Sequence, residues 1–111
     1  MQLDNPILLR SNGYIDGRWE AADSGATLVV TDPANGDRLG EVPLMGAAET
    51  ARAIAAAEAA LPAWRGRTAK DRAAILRRWF DLIVTHADDL ARMITAECGK
   101  PLAEAMGEVG Y

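Results

Sequence analysis

Hydrophobic positions in the second half of the chain recur with the period of an α-helix. Small apolar residues between Gly46 and Pro62 fall on one helical face, and Pro62 is expected to end or kink that helix. The next segment opens with Thr68 and Asp71 at capping-box spacing. It carries the strongest apolar stripe of the chain, at Ile75, Leu76, Trp79, Leu82 and Ile83. After about Thr85 a shorter amphipathic pattern predicts a further helix.

Helix punctuation follows at Gly99 and Pro101. Gly99 stands where a left-handed residue ends a helix, and Pro101 stands where proline favours a new start. A new i, i+3, i+4 pattern then begins, at Leu102, Ala105 and Met106. Because this pattern reaches Tyr111 without a basic last turn or a polar tail, we expect a truncated helix.

The first half of the chain has the period of β-strands instead. The Asp-Gly pair at 16–17 supplies the two positive φ angles of a type I′ hairpin. Strands are predicted at 26–31 and 39–43, joined by a turn with Asn-Gly at 35–36. Residues 1–12 have no period and are expected to form an irregular arm. The prediction is one unit of β-ribbons followed by three to four α-helices, with ribbon edges that pair with something outside the segment.

Composition narrows the possible partners. The 111 residues are 50% hydrophobic and 25% charged, which is typical of one globular domain. The net charge of -4 comes without a basic stripe, so no nucleic acid is expected as a partner. Apolar runs are too short for a membrane span, and the N-terminus lacks the pattern of a secretory signal. A single cysteine favours a reducing, cytoplasmic compartment.

The residues with reactive side chains have ordinary structural explanations. Cys98 lies at a helix C-terminus, where the dipole disfavours a thiolate, so it is interpreted as a small packing residue. His86 has no second ligand nearby. The glycines mark hairpins and helix ends rather than a phosphate-binding turn. Trp64 and Trp79 are expected to pack in the core.

Three stretches together resemble a known family. They are Asp32-Pro33-Ala34-Asn35-Gly36-Asp37-Arg38-Leu39-Gly40-Glu41-Val42-Pro43, Ala60-Leu61-Pro62-Ala63-Trp64-Arg65, and Thr95-Ala96-Glu97-Cys98-Gly99-Lys100-Pro101-Leu102-Ala103-Glu104-Ala105 with Gly107-Glu108 and Tyr111. They resemble the N-terminal region of the aldehyde dehydrogenase superfamily, most closely its succinate-semialdehyde dehydrogenases, over about Tyr14 to Tyr111.

The resemblance implies the α/β fold of that family and oxidation of an aldehyde, succinate semialdehyde above all, with NAD or NADP. It also implies a homo-oligomer. In the family, the nucleophilic cysteine, the general-base glutamate, the oxyanion-hole asparagine and the cofactor loop lie downstream of this region. No catalytic or cofactor-binding residue is therefore expected in this chain, and the chain alone is expected to be inactive.

One family feature falls inside the chain. Many members hold a structural monovalent cation, and the resemblance implies Val30, Thr31 and Glu97 as ligands here. Two alternatives stay open: an aldehyde dehydrogenase for another semialdehyde, such as glutarate semialdehyde, and a complete small helical module that binds a partner through its apolar helix faces.

Overall fold

The computed structural model describes all residues from 1 to 111, and two β-hairpins precede four α-helices in it. The strands are β1 (Gly13–Ile15), β2 (Arg18–Glu20), β3 (Thr27–Thr31) and β4 (Arg38–Pro43). The helices are α1 (Ala47–Arg65), α2 (Ala69–Thr85), α3 (Ala87–Cys98) and α4 (Leu102–Gly110). Within the first twelve residues there is a short 3₁₀ turn at Pro6–Leu8. The predicted order of β-ribbons followed by helices is confirmed.

The first hairpin has the predicted turn. Asp16 and Gly17 have φ angles of 49° and 77°, the two positive values that a type I′ turn requires. The strands are antiparallel with Ile15 opposite Arg18. Across the pair, the rings of Tyr14 and Trp19 lie 5.0 Å apart between centroids. This aromatic pair covers one face of a hairpin that has only two strands.

The second hairpin pairs β3 with β4 and also has only two strands. At one end of the hairpin the backbone N–H of Asp32 donates to the carbonyl of Asp37, at 2.8 Å. At the other end the N–H of Leu44 donates to the carbonyl of Ala26, at 2.9 Å. Gly36 adopts the left-handed φ of 80° that the turn needs.

A buried carboxylate anchors the start of α1. Glu49 is 5% exposed and accepts hydrogen bonds from the backbone N–H of Asp23, at 2.9 Å, and of Gly46, at 3.0 Å. These bonds, that from Asp23 first, hold the pKa of Glu49 below its ordinary value. Arg52 adds a two-pronged hydrogen bond to the Asp23 carboxylate, at 2.7 and 2.8 Å. The loop after β2 is therefore tied to the first turns of α1.

Of the end or kink expected at Pro62, the end is wrong, and the kink stays a prediction. The helix continues through Pro62 to Arg65 and ends at Gly66, whose N–H donates to the Pro62 carbonyl at 3.0 Å. The proline ring removes only the hydrogen bond to the carbonyl of Glu58. Only three residues of α1 follow Pro62, and the hydrogen bonds of neighbouring residues hold this last turn.

The cap of α2 is confirmed, but the expected packing of its stripe is wrong. The N–H of Asp71 donates to the Thr68 hydroxyl at 3.2 Å. Trp79 is 64% exposed, however, and Leu76 and Leu82 are at least half exposed. The apolar period predicts the helix correctly, but no other part of this chain covers that face.

The last two helices pack against each other through small residues. Ala91 of α3 and Ala105 of α4 are both completely buried. Gly99 separates the two helices with a left-handed φ of 75°, as predicted. The break also separates Glu97 from the carboxylates of α4, so these acids do not form one helical row.

The chain divides into two compact units. The first comprises Met1–Arg10, Val29–Gly40 and Arg77–Tyr111, and the second comprises Ser11–Leu28 and Glu41–Leu76. The division falls inside β3, β4 and α2. Because regular elements cross the division, no loop or linker in the sequence marks it.

The solvent-accessible surface is large for a chain of this length. It measures 8235 Å², whereas a folded monomer of this size exposes about 6,000 Å². The buried apolar core is correspondingly small, and its members are Ile15, Ala22, Ala91 and Ala105. None of the helices has the length and hydrophobicity needed to cross a lipid bilayer.

Candidate functional site

In the first unit, the end of β3 lies against the end of α3. A Cβ atom added to Gly99 would lie 2.8 Å from Cγ of Pro33, which is closer than real Cβ contacts. The absence of a side chain at Gly99 therefore permits this approach. The predicted cation ligands belong to the two segments that meet here, the end of β3 and the end of α3.

The three predicted ligands are distributed over these two segments. Val30 and Thr31 are the last residues of β3, and Glu97 is in the last turn of α3 with an exposed side chain. Oxygen atoms are the donors that a hard monovalent cation prefers. The C-terminus of a helix adds a partial negative charge. The donor chemistry fits such a cation, and the assembly of these residues into a site stays a prediction.

Side-chain ligands give no other metal centre. No group of three or more His, Cys, Asp or Glu side chains is placed to hold a metal ion. His86 stands at the N-cap position of α3 without a side-chain capping bond.

Next to the Pro33–Gly99 contact lies a cavity of about 330 Å³. Its walls come from the N-terminal arm, the turn after β3, and α3 and α4: Met1, Gln2, Asp32, Ala34, Arg92, Thr95, Ala96, Gly99 and Leu102. The hydroxyl oxygen of Thr95 is buried without a hydrogen-bond partner. The cavity combines a mainly apolar wall with the cation of Arg92.

The N-terminal arm is fastened to this unit by Asp89, a contact that the sequence interpretation missed. Asp89 is 3% exposed and accepts hydrogen bonds from the backbone N–H of Asp4, at 2.9 Å, and of Asn5, at 2.8 Å. Arg92 contacts both Asp4, at 3.1 Å, and Asp89, at 3.2 Å. The bond from Asp4 is the main cause that lowers the pKa of Asp89. No local pattern in the sequence marks this contact, because Asp4 and Asp89 are 85 positions apart.

Cys98 is exposed, so its interpretation as a packing residue is wrong for this chain. It lines the edge of an apolar groove of about 490 Å³. The nearby cation, Lys100, is paired with Glu108 of α4, and this bond raises the pKa of Lys100.

The glycines with positive φ are Gly17, Gly25, Gly36 and Gly99, and they lie in turns or at a helix end. A dinucleotide fingerprint requires a glycine-rich turn from a strand into a helix N-terminus. None of these four glycines lies in such a turn.

Comparison with known proteins identifies the family. Residues 19–111 match the model of the aldehyde dehydrogenase family, so the chain belongs to this family of oxidoreductases. The matched part is the N-terminal region of the full enzymes.

Individual relatives are similar over the whole chain. It is 60% identical to a glutarate-semialdehyde dehydrogenase of Pseudomonas aeruginosa and 58% identical to the NADP⁺-dependent succinate-semialdehyde dehydrogenase of Escherichia coli, in each case over 111 residues. The crystal structure of succinate-semialdehyde dehydrogenase from Burkholderia pseudomallei superposes with a TM-score of 0.96 at 62% identity. In each comparison the whole chain is covered, and it spans 23% of the relative.

Proposed function

We propose that this chain is the N-terminal part of an NAD(P)-dependent semialdehyde dehydrogenase that oxidises succinate semialdehyde to succinate. The observation that carries the proposal is the similarity of the entire chain, at 58–60% identity, to enzymes that act on succinate and glutarate semialdehydes. The two identities are too close to separate these substrates, so glutarate semialdehyde is the alternative.

The reaction converts an aldehyde to a carboxylate. The aldehyde carbon loses a hydride to the nicotinamide cofactor and gains an oxygen atom from water. The chain contributes none of the reacting groups, because it has no glycine-rich dinucleotide turn and no activated thiol. Its contribution is structural: it supplies the ribbons and the helices on which the remainder of the enzyme is built. We accordingly propose that the chain alone has no dehydrogenase activity.

The remaining properties of the whole enzyme follow from the family. We propose a homo-oligomer in a cytoplasmic, reducing compartment, with the small aldehyde as substrate and without nucleic acid or membrane as a partner. The exposed thiol of Cys98 supports a reducing compartment, because an exposed free cysteine is vulnerable to oxidation elsewhere.

A chimaera tests the activity. The aligned region of the E. coli relative is replaced by this chain, and formation of NADPH is followed at 340 nm with succinate and glutarate semialdehydes. The parent enzyme and the free 111-residue chain are the controls. Turnover by the chimaera and none by the free chain is expected. A chimaera that is folded but inactive with both substrates overturns the proposal.

We also propose that the backbone carbonyls of Val30, Thr31 and Glu97 contribute to a structural site for Na⁺ or K⁺. Its support is the contact between Pro33 and Gly99, which brings the two ligand-bearing segments together. The test compares melting temperatures of the chimaera in NaCl, KCl and choline chloride. A higher melting temperature in NaCl or KCl than in choline chloride is expected. Equal melting temperatures in all three salts contradict the site.

A further inference from the structure

The chain contains two Asn-Gly peptides, at Asn12–Gly13 and at Asn35–Gly36. An asparagine in such a peptide can lose its side-chain amide without an enzyme. The backbone nitrogen of the next residue attacks Cγ of the asparagine, and glycine permits this approach because it has no side chain in the way. Two sites with the same dipeptide therefore separate the effect of the fold from that of the sequence.

The reaction is a substitution followed by a hydrolysis. A bond forms between the glycine nitrogen and Cγ, the bond from Cγ to Nδ2 breaks, and the proton of the glycine N–H leaves with Nδ2 as ammonia. Water then opens the cyclic succinimide and gives aspartate or isoaspartate. A water molecule is taken up and ammonia is released, so the step is complete without an oxidant or a reductant.

In the turn after β3, three hydrogen bonds hold both reacting groups of the Asn35 site. The Asn35 side chain accepts from the N–H of Asp37 through Oδ1 and donates to the Asp37 carboxylate through Nδ2, both at 2.9 Å. The attacking group, the N–H of Gly36, donates to the carbonyl of Asp32 at 2.7 Å. Attack requires the nitrogen to lie about 3–3.5 Å from Cγ in the correct orientation. These hydrogen bonds must therefore open first.

The Asn12 side chain has no such restraint. It is exposed in the bend before β1, and no hydrogen bond holds its amide. It borders an open cavity of about 200 Å³, which gives water access to the succinimide. Gly13 stands opposite Glu20 in the outermost pair of the two-stranded ribbon β1–β2. The ends of such elements open most readily.

We propose that the fold directs spontaneous deamidation to Asn12 and protects Asn35. Asn12 is then the residue of the folded chain that becomes aspartate or isoaspartate with time, beside the start of β1. Asn35 reacts only from molecules in which its turn has opened, so its rate is that of the open state multiplied by the population of that state. The turn thereby preserves the segment through which Pro33 contacts Gly99.

The test is peptide mapping by mass spectrometry of the 111-residue chain, incubated at mildly alkaline pH in buffer and in urea. Cleavage after arginine places the two sites in separate peptides, 11–18 and 19–38. Replacement of an amide by a carboxylate adds a small fixed mass, which assigns the reaction to one site. Far-UV circular dichroism verifies that the chain is folded in buffer and unfolded in urea. The covalent chimaera described above replaces the free chain if the free chain has no helical signal.

In buffer, Asn12 is expected to react at least about tenfold faster than Asn35, because the hydrogen bonds of the turn must break before Asn35 reacts. In urea the two rates are expected to become similar, since both sites then have only their Asn-Gly sequence. Equal rates in buffer, or a faster reaction at Asn35, overturn the proposal. A preference for Asn12 that is the same in urea also overturns it, because the sequence and not the fold then sets the preference.

The restraint on Asn35 is tested by Asp37→Ala. This variant removes the carboxylate that accepts from Nδ2 of Asn35 and leaves both Asn-Gly peptides intact. The matched control is Asp88→Ala, which removes a carboxylate from an exposed position in α3. In buffer, Asn35 is expected to react about fivefold faster in D37A than in D88A, with the same rate at Asn12 in both. Equal Asn35 rates in the two variants contradict the protection by the turn.

Deamidation and the proposed function are measured independently. No substrate, cofactor or turnover enters the peptide mapping. An inactive chimaera therefore leaves the assignment of Asn12 standing, and equal deamidation rates leave the oxidation of semialdehydes standing.

Discussion

At the scale of single residues, Gly99 connects the sequence motif to the structure. Its φ of 75° is strained for any other residue, and its missing Cβ leaves room for the ring of Pro33. The sequence predicts the first property, because a glycine between two helix patterns is typical of a left-handed end. It does not predict the second, because contact with a turn more than sixty residues away has no local signal.

Gly36 provides a matched control for Gly99. Its φ of 80° is similar, but no atom lies within 4 Å of the position that a Cβ would occupy. Gly36→Ala is expected to lower the melting midpoint of the chain by about 5 °C through backbone strain alone. Gly99→Ala is expected to lower it by about twice as much, because the new methyl group also meets Pro33. Circular dichroism at 222 nm measures both, and equal shifts would show that the contact with Pro33 is unimportant.

Asp89 determines whether the N-terminal arm stays attached at low pH. The hydrogen bonds from the Asp4 and Asn5 amides favour the carboxylate, so the folded-state pKa of Asp89 lies below its ordinary value of 3.8. Stabilisation of the arm is therefore fully present above pH 3.8 and is lost as the pH falls through the lower folded-state pKa.

Two-dimensional NMR of the amide protons of Asp4 and Asn5 monitors the protonation of Asp89 directly. We expect both signals to titrate together with an apparent pKa below 3.8. Asp89→Asn is expected to shift both signals at neutral pH, because it removes the charge that they contact. Asp88→Asn, at the exposed neighbouring position, leaves them in place. Unchanged amide signals in the Asp89 variant would contradict the attachment of the arm.

At the scale of elements, local chemistry predicts most boundaries. The Asp-Gly turn, the Thr68 cap and the Gly99 and Pro101 punctuation all lie where short-range rules place them. The errors concern long-range effects. The ribbons and helices are correct, but the burial expected for Trp79 depends on a covering layer that these 111 residues do not supply.

At Pro62 the sequence predicts an end or a kink of the helix, whereas α1 continues to Arg65. An interior proline costs about 3 kcal/mol in a helix, and the cost is smaller near its end. Pro62→Ala is therefore expected to raise the stability of α1 by about 1 kcal/mol and to increase helical ellipticity. Pro101→Ala, at the start of α4 where proline fits, is the control and should give no gain. A loss of helicity in the Pro62 variant would contradict this account of α1.

At the scale of the whole molecule, the many exposed apolar side chains are consistent with the match to only part of each aldehyde dehydrogenase. A chain with a small buried core and large exposed aromatic side chains needs further covering surface to reach ordinary burial. The aldehyde dehydrogenases that it matches contain more than three quarters of their sequence outside the matched region. Apolar periodicity indicates which faces of the helices need covering.

The measurement that tests the central claim most directly is steady-state turnover of the chimaera in which this chain replaces the aligned region of the E. coli relative. We predict kcat/KM for succinate semialdehyde within about tenfold of the parent enzyme, and no turnover by the free chain. A chimaera with the parent's melting temperature but without turnover of succinate or glutarate semialdehyde would contradict the claim that these 111 residues belong to a semialdehyde dehydrogenase.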